Sequence, residues 1–286
     1  RVVIFSLAAI ASLVLTAIFG MPVLANRITP LIPLSMEKKL GEAVDKQIGP
    51  LLDTGSRGAA FQCGNGVAEV PGRKALDKLV RQLETTARLP YRIRVDVVRR
   101  QQANAFALPG GHVYVFEGLL AKSRAPDELA GVIAHEIGHV VRRDGTRAVL
   151  QSAGLSFLFG MMLGDFVGGG AVVIAARTVL NSSYSRHAEA AADDYSVKLM
   201  ENAGGDPRAL GAILSRIASD KYDGMTLLRD HPDTKDRIAA INSVTVENLP
   251  KQLLNATEWK ALKAICSPLP PDGKPQDGKP ADQPKR

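Results

Sequence analysis

Between Asp127 and Asp144 the chain reads DELAGVIAHEIGHVVRRD, a helical pattern that carries His135, Glu136 and His139 as an H-E-x-x-H motif. Two histidines four residues apart leave a helix about 40° apart on one side, so both imidazoles can reach one tetrahedral metal ion. The glutamate after the first histidine points to a neighbouring arc, where it meets water beside the metal without being a ligand. Metal-assisted hydrolysis needs this arrangement. Leu129, Ile133, Ile137 and Val140 recur on the far arc, which gives one face to the core and the histidine face to a site. Gly131 and Gly138 share an edge where another element can approach closely, at a cost of about 1 kcal/mol each relative to Ala. Pro126, Asp127 and Glu128 suit a first turn, Arg142 and Arg143 suit a last one, and Asp144-Gly145 reads as the stop.

A catalytic zinc, one per chain, needs a third protein ligand and an open position. A metzincin continuation would require Gly at Arg142 and His at Gly145, so the third ligand must come from another helix. In the helical stretch Tyr184 to Asn202, Ser185, Glu189 and Asp193 fall on one face at steps of four. Glu189 is the expected ligand and Asp193 the acceptor for an imidazole N–H. His187 is the rival, but two residues from Glu189 it points to the opposite side. Ala188 and Ala190 to Ala192 indicate close packing around Glu189.

Upstream, Met36 to Leu52 and Arg73 to Arg88 read as amphipathic helices. Tyr91 to Val98 alternates as a strand with a wet face made of Arg92, Arg94 and Asp96. Asn104 to Leu108 and His112 to Phe116 follow as strands joined by Pro109-Gly110-Gly111, which predicts a short antiparallel sheet. Asn104, Ala105 and Phe106 are candidates for holding an extended peptide by strand addition; an ordinary hairpin is the simpler reading of the spacing. Ala153 to Leu180 is apolar but broken by Gly168-Gly169-Gly170, and fits a membrane hairpin, a lid over the cleft or a second span. Pro207 to Ser219 and Thr234 to Ile241 read as helices, with His231-Pro232 between them.

The 286 residues carry a net charge of +7 with no Lys/Arg run interleaved with aromatics, which argues against nucleic acid as a partner. Val2 to Phe19 is apolar apart from Ser6 and Thr16. An uncleaved anchor over residues 1–25 is the expectation, with a cleaved signal ending near Ala25 as the rival. Either carries the rest to a membrane or across it. A linker follows at 26–35, then one domain at 36–266, then a Pro-rich tail at 267–286 expected to be disordered. Cys63 and Cys266 suit one disulfide in an exported chain, and two unpaired thiols fit the sequence equally.

His135-Glu136-x-x-His139 followed by Ser185-Arg186-x-x-Glu189-x-x-Ala192-Asp193 resembles the gluzincin metallopeptidases of the HtpX, BepA and CAAX prenyl protease type. Asn104-Ala105-Phe106-Ala107 with Pro109-Gly110-Gly111, and His231-Pro232 with Arg237, add to the resemblance, which covers about Met36 to Val244. It implies a mainly α domain with a small antiparallel β-sheet, an α+β zincin-like metalloprotease domain, behind an N-terminal transmembrane or signal helix. It further implies zinc on His135, His139 and Glu189, Glu136 as general base, His231 stabilising the tetrahedral intermediate and Arg237 supporting the site. Polypeptide substrates, a membrane-anchored periplasmic location and protein quality control complete the expectation, and the oligomeric state is left open. The chain shows neither the four clear spans of the HtpX type nor the helical-repeat extension of the BepA type. The rival from another class is an envelope chaperone or scaffold with a metal site and little turnover.

Overall fold

The computed structural model describes residues 2–15, 19–52, 61–152, 170–180, 184–219, 231, 234–246 and 250–266. Most of the apolar stretch expected to form a lid, hairpin or span (153–169) and the expected tail (267–286) lie outside these residues.

The chain begins with α1 (Val2–Leu15) and α2 (Met21–Ile28), then a 3-10 turn and α3 (Leu34–Leu52). No helix among the described residues is long and apolar enough to cross a membrane. The 14 residues of α1 rise about 21 Å, against a hydrocarbon core of about 30 Å. Val3, Ile4, Phe5 and Leu7 of α1 are all exposed. Helix α3 buries Leu40, Val44, Ile48 and Leu52, the stripe its four-residue spacing predicts. Helix α4 (Val70–Ala87) likewise buries Leu76, Leu79, Val80 and Leu83.

Strands β1 (Arg94–Val98), β2 (Ala105–Ala107) and β3 (His112–Phe116) form one sheet in the order β1-β3-β2. The sheet is mixed, and this corrects the expectation of an antiparallel one. β2 and β3 pair as an antiparallel hairpin, but β1 lies parallel to β3, with Asp96 opposite Tyr114. The segment between β1 and β2 returns the chain to the same end of the sheet, so β1 joins the free side of β3 in parallel. The wet face of β1 is also corrected: Arg94 is exposed, but Asp96 is buried. Asp96 accepts Arg73 Nη1 at 2.8 Å and Arg94 Nη2 at 2.6 Å, and its Oδ2 lies 3.0 Å from His112 Nε2.

His112 sits between two carboxylates, with its Nδ1 3.0 Å from Asp45 Oδ1 on α3, so this cluster ties α3 to the sheet. Burial alone would lower the His112 pKa, but hydrogen bonds to Asp45 and Asp96 outweigh it and raise it above the usual 6.5. A raised folded-state pKa gives stability that is complete below 6.5 and is lost as pH climbs through the folded value. Unfolding of parent and His112→Asn across pH should therefore show the largest gap on the acid side of 6.5, closing as pH rises. A gap that widens with pH would contradict this account.

Short helix α5 (Glu117–Lys122) leads to α6 (Pro126–Arg142), the H-E-x-x-H helix, which is buried from Pro126 to Val140. Helix α6 ends at Arg142, within a residue of the predicted stop, but Asp144 and Gly145 open a new helical run. Arg143 caps α6 in the left-handed region at φ 59°, and residues 144–152 are again helical, forming α7. Helices α8 (Gly170–Leu180), α9 (Arg186–Ala203), α10 (Ala209–Ser219), α11 (Thr234–Asn242) and α12 (Ala256–Lys263) follow. The two glycines of α6 mark close approaches. A Cβ on Gly131 would lie 2.9 Å from Leu210 N of α10, and one on Gly138 would lie 3.1 Å from Ala192 Cα of α9.

Cys63 and Cys266 form a disulfide across 203 residues and pin the segment after α12 beside α4. Closing so long a loop in the unfolded chain is worth roughly 3–5 kcal/mol, so reduction should lower the melting temperature markedly. An unchanged melting temperature on full reduction would count against the bond as a staple.

Candidate metal centre

Helix α6 carries His135 and His139 on adjacent turns, and their Nε2 atoms lie 3.1 Å apart. Ser185 caps α9 by accepting the Ala188 N–H at 3.2 Å, which sets the helix start so that Glu189 faces α6 one turn later. Glu189 Oε2 is 3.6 Å from His135 Nε2, and Oε1 is 3.4 Å from His139 Nε2. His231 enters from the chain preceding α11, and its Nδ1 lies 2.9 Å from Glu189 Oε1 and 3.3 Å from His135 Nε2. All four side chains are buried, and one ligand atom from each lies within 4.8 Å of all the others.

These residues fit a zinc ion. Metal–ligand bonds of about 2.0–2.1 Å in tetrahedral array set donor-to-donor edges near 3.3 Å, and the observed 3.1, 3.4 and 3.6 Å edges bracket that value. Two buried imidazole nitrogens aimed at each other beside a carboxylate are donors that one cation can bridge.

The outer nitrogens are held by acids. His139 Nδ1 lies 3.0 Å from Asp144 Oδ2. His135 Nδ1 lies 3.0 Å from Asp193 Oδ1, although it is not aligned for a hydrogen bond. Such carboxylate partners fix the tautomer and ring orientation of a ligating histidine. Arg237 grips Asp193 through Nε and Nη2, both at 2.7 Å, and reaches Glu189 Oε2 with Nη1 at 2.7 Å. Glu136 stands beside the cluster with both carboxylate oxygens buried and without a hydrogen-bond partner among the described residues. Its Oε1 is 3.6 Å from His231 Nε2.

Charges follow from this packing. Burial lowers the His135 pKa despite Asp193. Burial works the same way at His139, but hydrogen bonds to Asp144 and Glu189 overcome it and push the pKa up to about 9. Burial would raise Glu189, yet the histidines around it, His231 foremost, hold it far below the usual carboxylate range. Asp193 is held low against burial by Arg237 and His135.

The structure thus brings together His135, Glu136, His139, Glu189, Asp193, His231 and Arg237. His187 is exposed on α9, away from the cluster. Asn104 and Ala105 are buried and Phe106 is half-buried at the start of β2. β2 is an edge strand that packs beside α6, and the Phe106 ring lies against Tyr114 and Phe116. Two residues escaped the sequence reading. Asp144 looked like a helix stop, although an acid five residues beyond the second histidine was the available signal. Tyr184 looked like a helix start, and it stacks on the His139 ring at 4.1 Å between centroids.

The sequence pattern of Peptidase family M48 matches residues 73–245, from α4 to just past α11. The chain belongs to this family. A protease HtpX homolog of Nostoc punctiforme is 31% identical over 220 residues, covering 60% of this chain and 73% of that protein. The mitochondrial metalloendopeptidase OMA1 of Arabidopsis thaliana is 33% identical over 144 residues, 50% of this chain and 30% of that protein. The metalloprotease LoiP of Escherichia coli is 28% identical over 156 residues, 51% of this chain and 60% of that protein. The chain thus spans about a third of the length of the Arabidopsis relative. The matched stretch 73–245 contains His135, His139, Glu189 and His231.

Proposed function

We propose that this protein is a zinc-dependent metalloendopeptidase that hydrolyses peptide bonds of misfolded or membrane and envelope proteins, in protein quality control. The observation that carries the reading is the buried convergence of His135, His139 and Glu189 with Glu136 beside them, its carboxylate buried and without a hydrogen bond among the described residues. A zinc ion held by these three side chains supplies Lewis acidity that polarises a peptide carbonyl and acidifies water. Glu136 accepts a proton from that water and delivers it to the leaving amine. His231 donates to the developing oxyanion in this reading, which its Nε2 at 3.6 Å from Glu136 Oε1 supports. Asp193 and Asp144 keep the two imidazoles oriented, and Arg237 fixes Asp193 and Glu189 together.

The edge strand β2, with Asn104, Ala105 and Phe106, is the place for an extended substrate to add a strand. The exposed apolar α1 supports a membrane-anchored arrangement with the catalytic domain in the periplasm, and the disulfide supports an oxidising compartment. A second Escherichia coli relative, 26% identical over 182 residues, is named a beta-barrel assembly-enhancing protease, which supports envelope proteins as the setting.

Metal analysis with casein digestion, with and without a chelator, tests the function. About one zinc per chain and chelator-sensitive digestion are expected. Zinc-loaded protein that leaves casein intact would favour the scaffold reading instead.

A further inference from the structure

We propose that Glu37 on α3 is a positioning residue for the metal centre, acting on His139 through the turn that carries Asp144. The inference rests on the zinc reading above. Glu37 is 2% exposed, and its carboxylate accepts Arg143 Nε at 2.7 Å through Oε2 and the Thr146 hydroxyl through Oε1. Arg143 and Thr146 flank Asp144 on both sides, so one buried carboxylate from α3 clamps the turn between α6 and α7. Asp144 in turn holds His139 Nδ1 at 3.0 Å.

Three further observations show that the clamp is built. Arg143 stands at φ 59°, a conformation that L side chains adopt at a cost, and its side chain is tied to the N-terminal part twice, at Glu37 and by Nη2 to the Ile32 carbonyl at 2.8 Å. The first half of α3 is also wedged on the turn between β2 and β3. A Cβ on Gly110 would lie 2.8 Å from Lys38 Cα, and one on Gly41 would lie 1.9 Å from the Pro109 carbonyl oxygen. A small cavity is lined by Glu37, Pro109, His139, Arg143, Thr146 and Tyr184, so the clamp and the ligand border the same space.

Helix α3 precedes the stretch that defines the family, and it continues from α2 and the apolar α1. Through Glu37, the seating of this N-terminal segment sets how firmly His139 is presented. Displacing α3 takes Glu37 from both Arg143 and Thr146 and loosens the turn around Asp144.

The test uses the full chain, with the zinc dissociation constant measured by competition against a chelator and kcat and KM measured on casein. Glu37→Ala should weaken zinc binding about 10-fold and lower kcat with KM unchanged, the low end of what orienting partners of metal ligands contribute. Glu37→Gln, which keeps an acceptor for Arg143, should recover most of both. Val44→Ala truncates the buried stripe of the same helix and should lower the melting temperature while leaving zinc affinity at the parent value. Parent-like zinc affinity and kcat in Glu37→Ala would overturn the proposal, as would an equal loss of zinc affinity in Val44→Ala. Should Glu37→Ala not fold, Glu37→Asp, too short to span both partners, decides: weaker zinc binding supports the clamp and parent-like binding overturns it. A parent chain that binds no zinc would overturn the metal site itself, an outcome distinct from either.

Discussion

Glu136→Gln should leave zinc binding intact and cut casein hydrolysis by roughly 10³-fold or more. A positioned general acid–base contributes about 10²–10⁴-fold, and this side chain is asked to serve twice, on the water and on the leaving amine. The amide is nearly the same shape, so packing around α6 is kept. It cannot take up a proton at neutral pH, so both steps are lost together. The environment makes the comparison clean, because Glu136 is 1% exposed and neither of its oxygens has a hydrogen-bond partner among the described residues. His135→Ala, by contrast, should lose zinc and hydrolysis together. A Glu136→Gln protein that digests casein at the parent rate would remove Glu136 from the chemistry.

The second large effect is expected at Arg237, and it is a matter of stability. Its guanidinium is buried and holds Asp193 bidentately at 2.7 Å while reaching Glu189 at the same distance. Arg237→Met keeps much of the volume but leaves two buried carboxylates without their cation. Breaking a buried pair from one side costs about 3–5 kcal/mol, more than the intact pair itself contributes, because the surviving charges stay desolvated. Zinc bound at Glu189 restores one of those counter-charges. The melting temperature of Arg237→Met should therefore fall steeply in the metal-free protein and less in the zinc-loaded one. Equal melting temperatures for parent and variant without metal would show that the guanidinium is dispensable to the site.

Much of this centre was legible because helical geometry is local. The four-residue step fixes where two side chains point before any tertiary contact is known, and this brought His135 and His139 together and preferred Glu189 to His187. The glycines at 131 and 138 were legible for the same reason, since an apolar helix keeps a costly residue where a neighbour needs its missing Cβ. The sheet was less legible. Alternation in Tyr91 to Val98 tells which side chains share a face but carries no information about the direction of the partner strand, so the parallel pairing of β1 with β3 stayed hidden. It also cannot tell a wet face from one covered by ion pairs, and Asp96 is buried against Arg73, Arg94 and His112. Asp144 and Glu37 were missed on similar grounds. Asp144 matched a helix stop, a common use of the residue, and Glu37 is 98 residues from His135 in the sequence, on a helix whose pattern speaks only of its apolar stripe.

Zinc K-edge absorption on the full-length, zinc-loaded protein tests the central claim most directly. Nitrogen and oxygen scatterers alone at about 2.0–2.1 Å, with the outer-shell signature of imidazole, are expected, and replacing either His135 or His139 should abolish the ordered site. Sulfur at about 2.3 Å, or an unchanged spectrum in the histidine variants, would place zinc elsewhere and contradict the account.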